Sequence, residues 1–152
     1  MSTLYFDDLP VGLRFRTGTH EVDAAQIKAF AAQFDPQPFH LDDEAAKHTL
    51  FGGLAASGWH TAAITMRLMV EGGTRIAGGI VGAGGEIGWP QPTRPGDVLC
   101  VECEVLAATP SRSRPDRGTA SLRCETRNQR GEIVQVLVAK LVVPRRATAE
   151  SR

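Results

Sequence analysis

Apolar residues recur at helical spacing early in the chain and at strand spacing late. Leu13 to Val22, after the turn signal Pro10-Val11-Gly12, reads as a strand of mixed polarity. Ile27, Phe30, Ala31 and Phe34 follow at i, i+3, i+4 and i+7 and predict a helix with one apolar face. Asp23 is its expected N-cap, with Gln26 three residues on as in a capping box. Pro36 and Pro38 stop that helix near Phe34, because proline lacks an amide donor and biases the residue before it toward extended backbone. Asp35 to His40 is therefore expected as a constrained loop, and Asp42 or Asp43 as the start of a short helix through Lys47. A more apolar helix is predicted from about Ser57 to Met69. Trp59, Ala62, Ala63, Met66, Leu68 and Met69 leave it little polar surface, so other elements should enclose it.

After Gly72-Gly73 the period shortens. Ile80-Val81 and Glu86 to Trp89 lie in a glycine-rich strand region, followed by Pro90-Gln91-Pro92-Thr93-Arg94-Pro95-Gly96-Asp97. From Val98 to Leu106, Leu99, Val101, Cys103 and Val105 share one face, opposite Glu102 and Glu104. Thr119 to Arg127 alternates again, Asn128 to Gly131 is a hairpin turn, and Ile133 to Val143 is a long apolar strand. Thr109 to Gly118 reads as a Pro/Ser/Arg loop. Helices early and a strand meander late predict an α+β class, an antiparallel sheet curved around one apolar helix. With no internal repeat, residues 1–152 read as one domain, its core spanning about 13–143 and a polar tail at 147–152.

Composition removes several function classes. The chain balances 17 Lys+Arg against 17 Asp+Glu, so it lacks the global field on which nucleic-acid and anionic-membrane binders rely. Three cysteines cannot all pair, and 152 residues bury enough surface without disulfides. Reduced thiols and a cytoplasmic setting follow as expectations, supported by an acidic start, Met1 to Asp8, where a signal peptide would be basic. The charge-free stretch His48 to Met66 holds too many polar residues for a lipid-facing span.

The chemistry concentrates in Asp35-Pro36-Gln37-Pro38-Phe39-His40. An acid and an imidazole held by two prolines, with Phe39 as apolar neighbour, suit a general acid/base pair, although a turn-capping Asp and a packed His fit as well. Ser57-Gly58 opens the apolar helix, where unpaired amides favour a carbonyl or oxyanion, and capping explains the pair equally. His60 reads as a packed histidine. Gly78 to Gly85 lacks GxGxxG spacing and a following helix, so its glycines read as close backbone approach and not as a nucleotide loop. Cys100 and Cys103 point to opposite faces of a strand, and with Cys124 the only other thiol no zinc or redox motif follows.

Asp35-x-x-Pro38-x-His40, then Leu41-Asp42, Phe51 and Ser57-Gly58, resembles the MaoC-like dehydratases, also called (R)-specific enoyl-CoA hydratases. Trp89 to Asp97 is similar to the aromatic, proline and Gly-Asp turn of that family, and the likeness runs from about Leu13 to Val143. The resemblance implies a hotdog fold: a bent antiparallel sheet wrapped around the long central helix. It implies a homodimer or higher homo-oligomer and a trans-2-enoyl-CoA substrate hydrated reversibly to the (R)-3-hydroxyacyl thioester. No metal and no cofactor are expected, coenzyme A being part of the substrate. Asp35 and His40 match the catalytic acid and histidine; Gly58, with Ser57 and Gln37, falls at the oxyanion and substrate-binding positions. Arg94, Arg112, Arg114 and Arg117 are candidates for the CoA phosphates, to which arginine forks bond well. Two residues depart from the pattern: Gln37 replaces a common Asn, and Ser57 a His that often precedes the helix glycine. A hotdog thioesterase, and a silent acyl-CoA binding module, are the alternatives.

Overall fold

A computed structural model of the chain describes residues 3–73 and 75–146; the predicted tail Ala147 to Arg152 lies outside them. A two-residue strand, β1 (Thr3–Leu4), precedes the long strand β2 (Arg14–Glu21). Three helices follow, α1 (Ala24–Phe34), the single turn α2 (Pro38–Leu41) and α3 (Asp43–Lys47). Helix α4 (Gly58–Leu68) continues into a π-helical turn at Met69–Gly73. Strands β3 (Arg75–Ile76), β4 (Val81–Gly88), β5 (Val98–Pro110), β6 (Arg117–Arg127) and β7 (Ile133–Pro144) complete the chain. β1 pairs with β3 in parallel; the other strands form one antiparallel sheet in the order β2-β5-β6-β7-β4. α4 packs across β2, β5 and β7, so the architecture is the expected α+β hotdog. No helix among the described residues is long and apolar enough to cross a membrane.

Alternation on β5 and β6 builds the core. Leu99, Val101, Cys103 and Val105 of β5 meet Ala120, Leu122 and Cys124 of β6, with Val134, Leu141 and Val143 of β7 in the same cluster. Cys103 sits directly opposite Cys124, while Cys100 points the other way, toward Arg16 Nε at 3.2 Å. Hydrogen bonding to Cys124 and burial push the Cys103 thiol up, which keeps it protonated. The hairpin turn lies where the sequence puts it. Gly131 adopts φ +78°, and the Asn128 side chain accepts from the Arg130 and Glu132 amides at 3.0 and 3.1 Å.

Two local expectations change, and a third is met at one glycine. β5 extends to Pro110 and β6 begins at Arg117, so the connecting loop is only 111–116; the ladder continues through Thr109–Thr119 and Pro110–Gly118. β4 is one strand across the glycines, with a bulge between Gly82 and Gly84. A Cβ on Gly85 would lie 2.5 Å from the Val138 carbonyl, so close backbone approach explains that glycine. The central helix is not enclosed on all sides. Its inward face carries Thr61, Ile64, Thr65 and Leu68, whereas Trp59 and Met66 remain 61% and 42% exposed on its outward face.

Candidate active site

The site forms where three helix ends converge. α1 begins as predicted, Asp23 Oδ1 accepting from the Gln26 amide at 2.8 Å, but Gln26 does not close a capping box. Its side chain instead donates to the Glu21 carbonyl at 3.1 Å and meets His20 Nε2 at 2.7 Å. Asp35 is the C-cap of α1, its amide donating to the Ala31 carbonyl at 2.8 Å, and Pro36 denies the helix another turn.

The segment after Pro36 is not loop throughout. Pro38 takes the first position of α2, where its missing amide costs nothing and its fixed φ suits a helix. Pro38 to Leu41 is thus one helical turn, closed by the Asp42 amide on the Pro38 carbonyl at 3.0 Å. The turn reverses the chain and brings His40 Nε2 to 3.3 Å from Asp35 Oδ2. Asp42 then caps α3, its Oδ1 accepting from the Ala45 amide at 2.9 Å.

The partners of His40 fix its tautomer. Nδ1 lies 2.6 Å from the Ala55 carbonyl, which can only accept, so Nδ1 carries a hydrogen and Nε2 is left to face the carboxylate. Phe39 lies edge-on to the imidazole at 4.6 Å and Phe51 at 5.9 Å, screening it from water. Burial pushes the Asp35 carboxyl up. Hydrogen bonds from the Ser57 hydroxyl and the Gln37 amide, with the His40 charge, outweigh burial and hold it below the usual carboxylate range. The Gln37 amide reaches back to Asp35 Oδ1 at 2.5 Å, so the longer side chain at this position holds the acid in place.

Helix α4 starts against this pair. Ser57 is its N-cap, Oγ accepting from the Trp59 amide at 3.3 Å while its hydroxyl faces Asp35. Gly58 holds the first helical position, where the amide has no intrahelical acceptor. Only glycine fits there: a Cβ would lie 2.7–2.9 Å from three ring atoms of Trp89.

Asp35, His40, Gln37, Ser57 and Gly58 are therefore brought together, and the arginines are not. Arg94 donates to the carbonyls of Phe51, Gly53 and Leu54 at 2.5, 2.9 and 3.2 Å, clamping the segment that leads into α4. Arg112 and Arg114 are exposed on the 111–116 loop, beyond the far end of the thirteen-residue β5. Arg117 is paired with Asp116 at 2.9 Å. The Gly96-Asp97 turn is scaffold: Gly96 adopts φ +90°, and the buried Asp97 carboxylate accepts from the Arg94 amide at 2.8 Å.

Sequence reasoning missed the Arg94 clamp and a buried polar chain under α4 through Trp89, Gln135, Thr65 and Thr126. A lone Gln in the apolar run 133–143 was the available signal. His60 behaves as a packed histidine, stacked on Phe30 with centroids 4.6 Å apart and planes 8° from parallel. Its Nδ1 is buried without a partner, and burial, with a smaller contribution from His20, holds its pKa below the usual histidine value.

A hotdog domain with an acid–imidazole pair beside the N-terminus of its central helix defines the class of the fold and site. The sequence comparison narrows it, since the MaoC like domain family matches residues 10–127. The chain belongs to the MaoC-like dehydratase family. It is 64% identical to a MaoC-like dehydratase from Rhodospirillum rubrum of known structure, with 95% of this chain and 99% of that one covered and a TM-score of 0.93. It is 32% identical to the 3-hydroxybutyryl-CoA dehydratase of Methylorubrum extorquens, over 99% of this chain and 90% of that protein. An (R)-hydratase from A. caviae involved in PHA biosynthesis superposes at TM-score 0.71 and 28% identity, covering 90% of this chain and 98% of that one.

Proposed function

We propose that the protein hydrates a trans-2-enoyl-CoA reversibly to the (R)-3-hydroxyacyl-CoA, using Asp35 and His40. The observation that carries this reading is the 3.3 Å approach of Asp35 Oδ2 to His40 Nε2 beside the Ser57–Gly58 start of α4. A water within reach of both atoms loses its proton to the pair as its oxygen bonds to C3 of the enoyl group. The C2–C3 π electrons shift toward the thioester, and C2 takes a proton from the pair. Negative charge gathers meanwhile on the thioester oxygen, which the Gly58 amide receives. One such donor is typically worth about 2.7–4 kcal/mol at a transition state, more than the ~1 kcal/mol of an ordinary helix cap.

The relatives support the chemistry, one by its name as a 3-hydroxybutyryl-CoA dehydratase and another as an (R)-hydratase. A second copy of the chain covers the outward face of α4 and of the π-helical turn after it, where Trp59, Met66 and Val70 stand exposed. The CoA phosphates are met by Arg112 or Arg114, delivered from that second copy, since within one chain their loop lies at the far end of β5 from the pair. Purified protein with crotonyl-CoA tests the reaction. Loss of the conjugated-enone absorbance without free thiol is the expected result; thiol release marks a thioesterase, and binding without turnover a silent module.

A further inference from the structure

A chain of buried hydrogen bonds runs beneath α4 from the end where the site lies. The Trp89 indole donates to Gln135 Oε1 at 3.0 Å, and the Gln135 amide donates to Thr65 Oγ1 at 3.1 Å. Thr65 Oγ1 lies 2.6 Å from the Thr126 hydroxyl and donates to the Thr61 carbonyl at 2.9 Å. Thr61 Oγ1 in turn meets Thr93 Oγ1 at 3.0 Å. Thr61, Thr65, Thr93, Thr126 and Gln135 are all buried, Gln135 and Thr126 completely. The chain ties together the segment 89–97 after β4, through Trp89 and Thr93, with α4, β6 and β7.

Two properties make it a wall and not a pocket. Every buried side-chain atom in it has at least one partner: among the described residues the buried side-chain atoms without any are His60 Nδ1 and Arg127 Nε, and neither belongs to it. An alkyl chain pushed through it would strand several buried polar groups. It also fixes the Trp89 ring. The indole is pinned by Gln135, lies against Gly58 so closely that no Cβ fits between them, and is braced by Trp59 in an edge contact at 5.4 Å.

We infer that Trp89 ends the acyl-binding space and that the substrate carries a short, crotonyl-sized acyl group. The inference rests on the enoyl-CoA reading above. A thioester oxygen seated on the Gly58 amide has the indole as its neighbour, and the inward face of α4 beyond it is filled by the buried Thr61, Ile64, Thr65 and Leu68. Gln135 acts as a positioning residue that sets the angle of this stop.

The test titrates butyryl-CoA and octanoyl-CoA, saturated thioesters that cannot be hydrated, into the wild-type protein, Trp89→Ala and Gln135→Leu. Turnover of crotonyl-CoA and trans-2-octenoyl-CoA is followed in parallel. Wild type should bind butyryl-CoA at least about tenfold more tightly than octanoyl-CoA, the discrimination expected of a pocket that cannot take extra methylenes. Trp89→Ala should narrow or reverse that ratio. Gln135→Leu, which keeps the volume and removes the pin together with the bond to Thr65, should narrow it less, and it carries the test if Trp89→Ala fails to fold. Equal wild-type affinity for the two thioesters, or an unchanged ratio in a folded variant, overturns the inference. Both thioesters bound at the predicted ratio without hydration of either enoyl-CoA would overturn the reaction and leave the short acyl site standing. No binding of either thioester overturns both.

Discussion

His40 on α2 and His60 on α4 are both buried, 4% and 7% exposed, and only one of them faces a carboxylate. His40 has a partner on each ring nitrogen, the Ala55 carbonyl at 2.6 Å and the Asp35 carboxylate at 3.3 Å. His60 has an aromatic ring stacked on its face and no partner for its buried Nδ1. The difference separates a buried imidazole whose tautomer is fixed and whose free edge meets an acid from one used as a flat packing surface. Burial does not tell the two histidines apart; the identity of the second partner does.

The largest effect should come from breaking the His40 environment. Asp35→Asn and His40→Ala should each lower kcat for crotonyl-CoA by about 10²–10⁴-fold, the usual worth of a positioned acid or base, with the folded far-ultraviolet circular dichroism kept. Gly58→Ala should come next. Its methyl would sit 2.7–2.9 Å from the Trp89 ring, forcing the indole off the start of α4. Overpacking of this kind typically costs about 1–3 kcal/mol, read as a lower denaturation midpoint together with reduced turnover.

Ser57→Ala is a finer probe. It removes one of the hydrogen bonds that hold the Asp35 carboxyl down, so burial gains ground and the pKa rises. The acid limb of the kcat/KM profile should therefore move to higher pH, with turnover on the neutral plateau much less affected. The smallest effect on activity belongs to His60→Phe, which keeps the stack on Phe30 and deletes the unpartnered nitrogen. Its readout is stability. A histidine whose folded pKa lies below the ordinary value of 6.5 stays neutral while the unfolded chain takes a proton. Wild-type stability is full above pH 6.5 and should fall as the pH drops from there toward the lowered folded value, and His60→Phe should flatten that fall in thermal melts.

The sequence made much of this legible, for reasons that differ by element. Period-2 alternation gave β5 and β6, and the Ile27–Phe34 spacing with Asp23 gave α1, because each signal lies in consecutive residues. The Asp35–His40 pair was visible because its spacing is local. What it does not show is that Pro38 starts a helical turn: the same proline that ends one helix suits the first position of the next. Nor could it show that Arg94 is spent on three carbonyls or that Gln135 pins Trp89. Those partners lie 40 to 46 residues apart in the chain, and no periodicity encodes them. The outward face of α4 misled for another reason. Its apolar residues signal burial without saying whether a second copy of the chain supplies it.

The carbon that the water attacks distinguishes hydration from thioester cleavage. Crotonyl-CoA turned over in oxygen-18 water should yield (R)-3-hydroxybutyryl-CoA carrying the label in the 3-hydroxyl, with the thioester intact and no label incorporated by Asp35→Asn. Label in a free carboxylate, released with thiol, would place the attack at the thioester carbonyl and contradict the account.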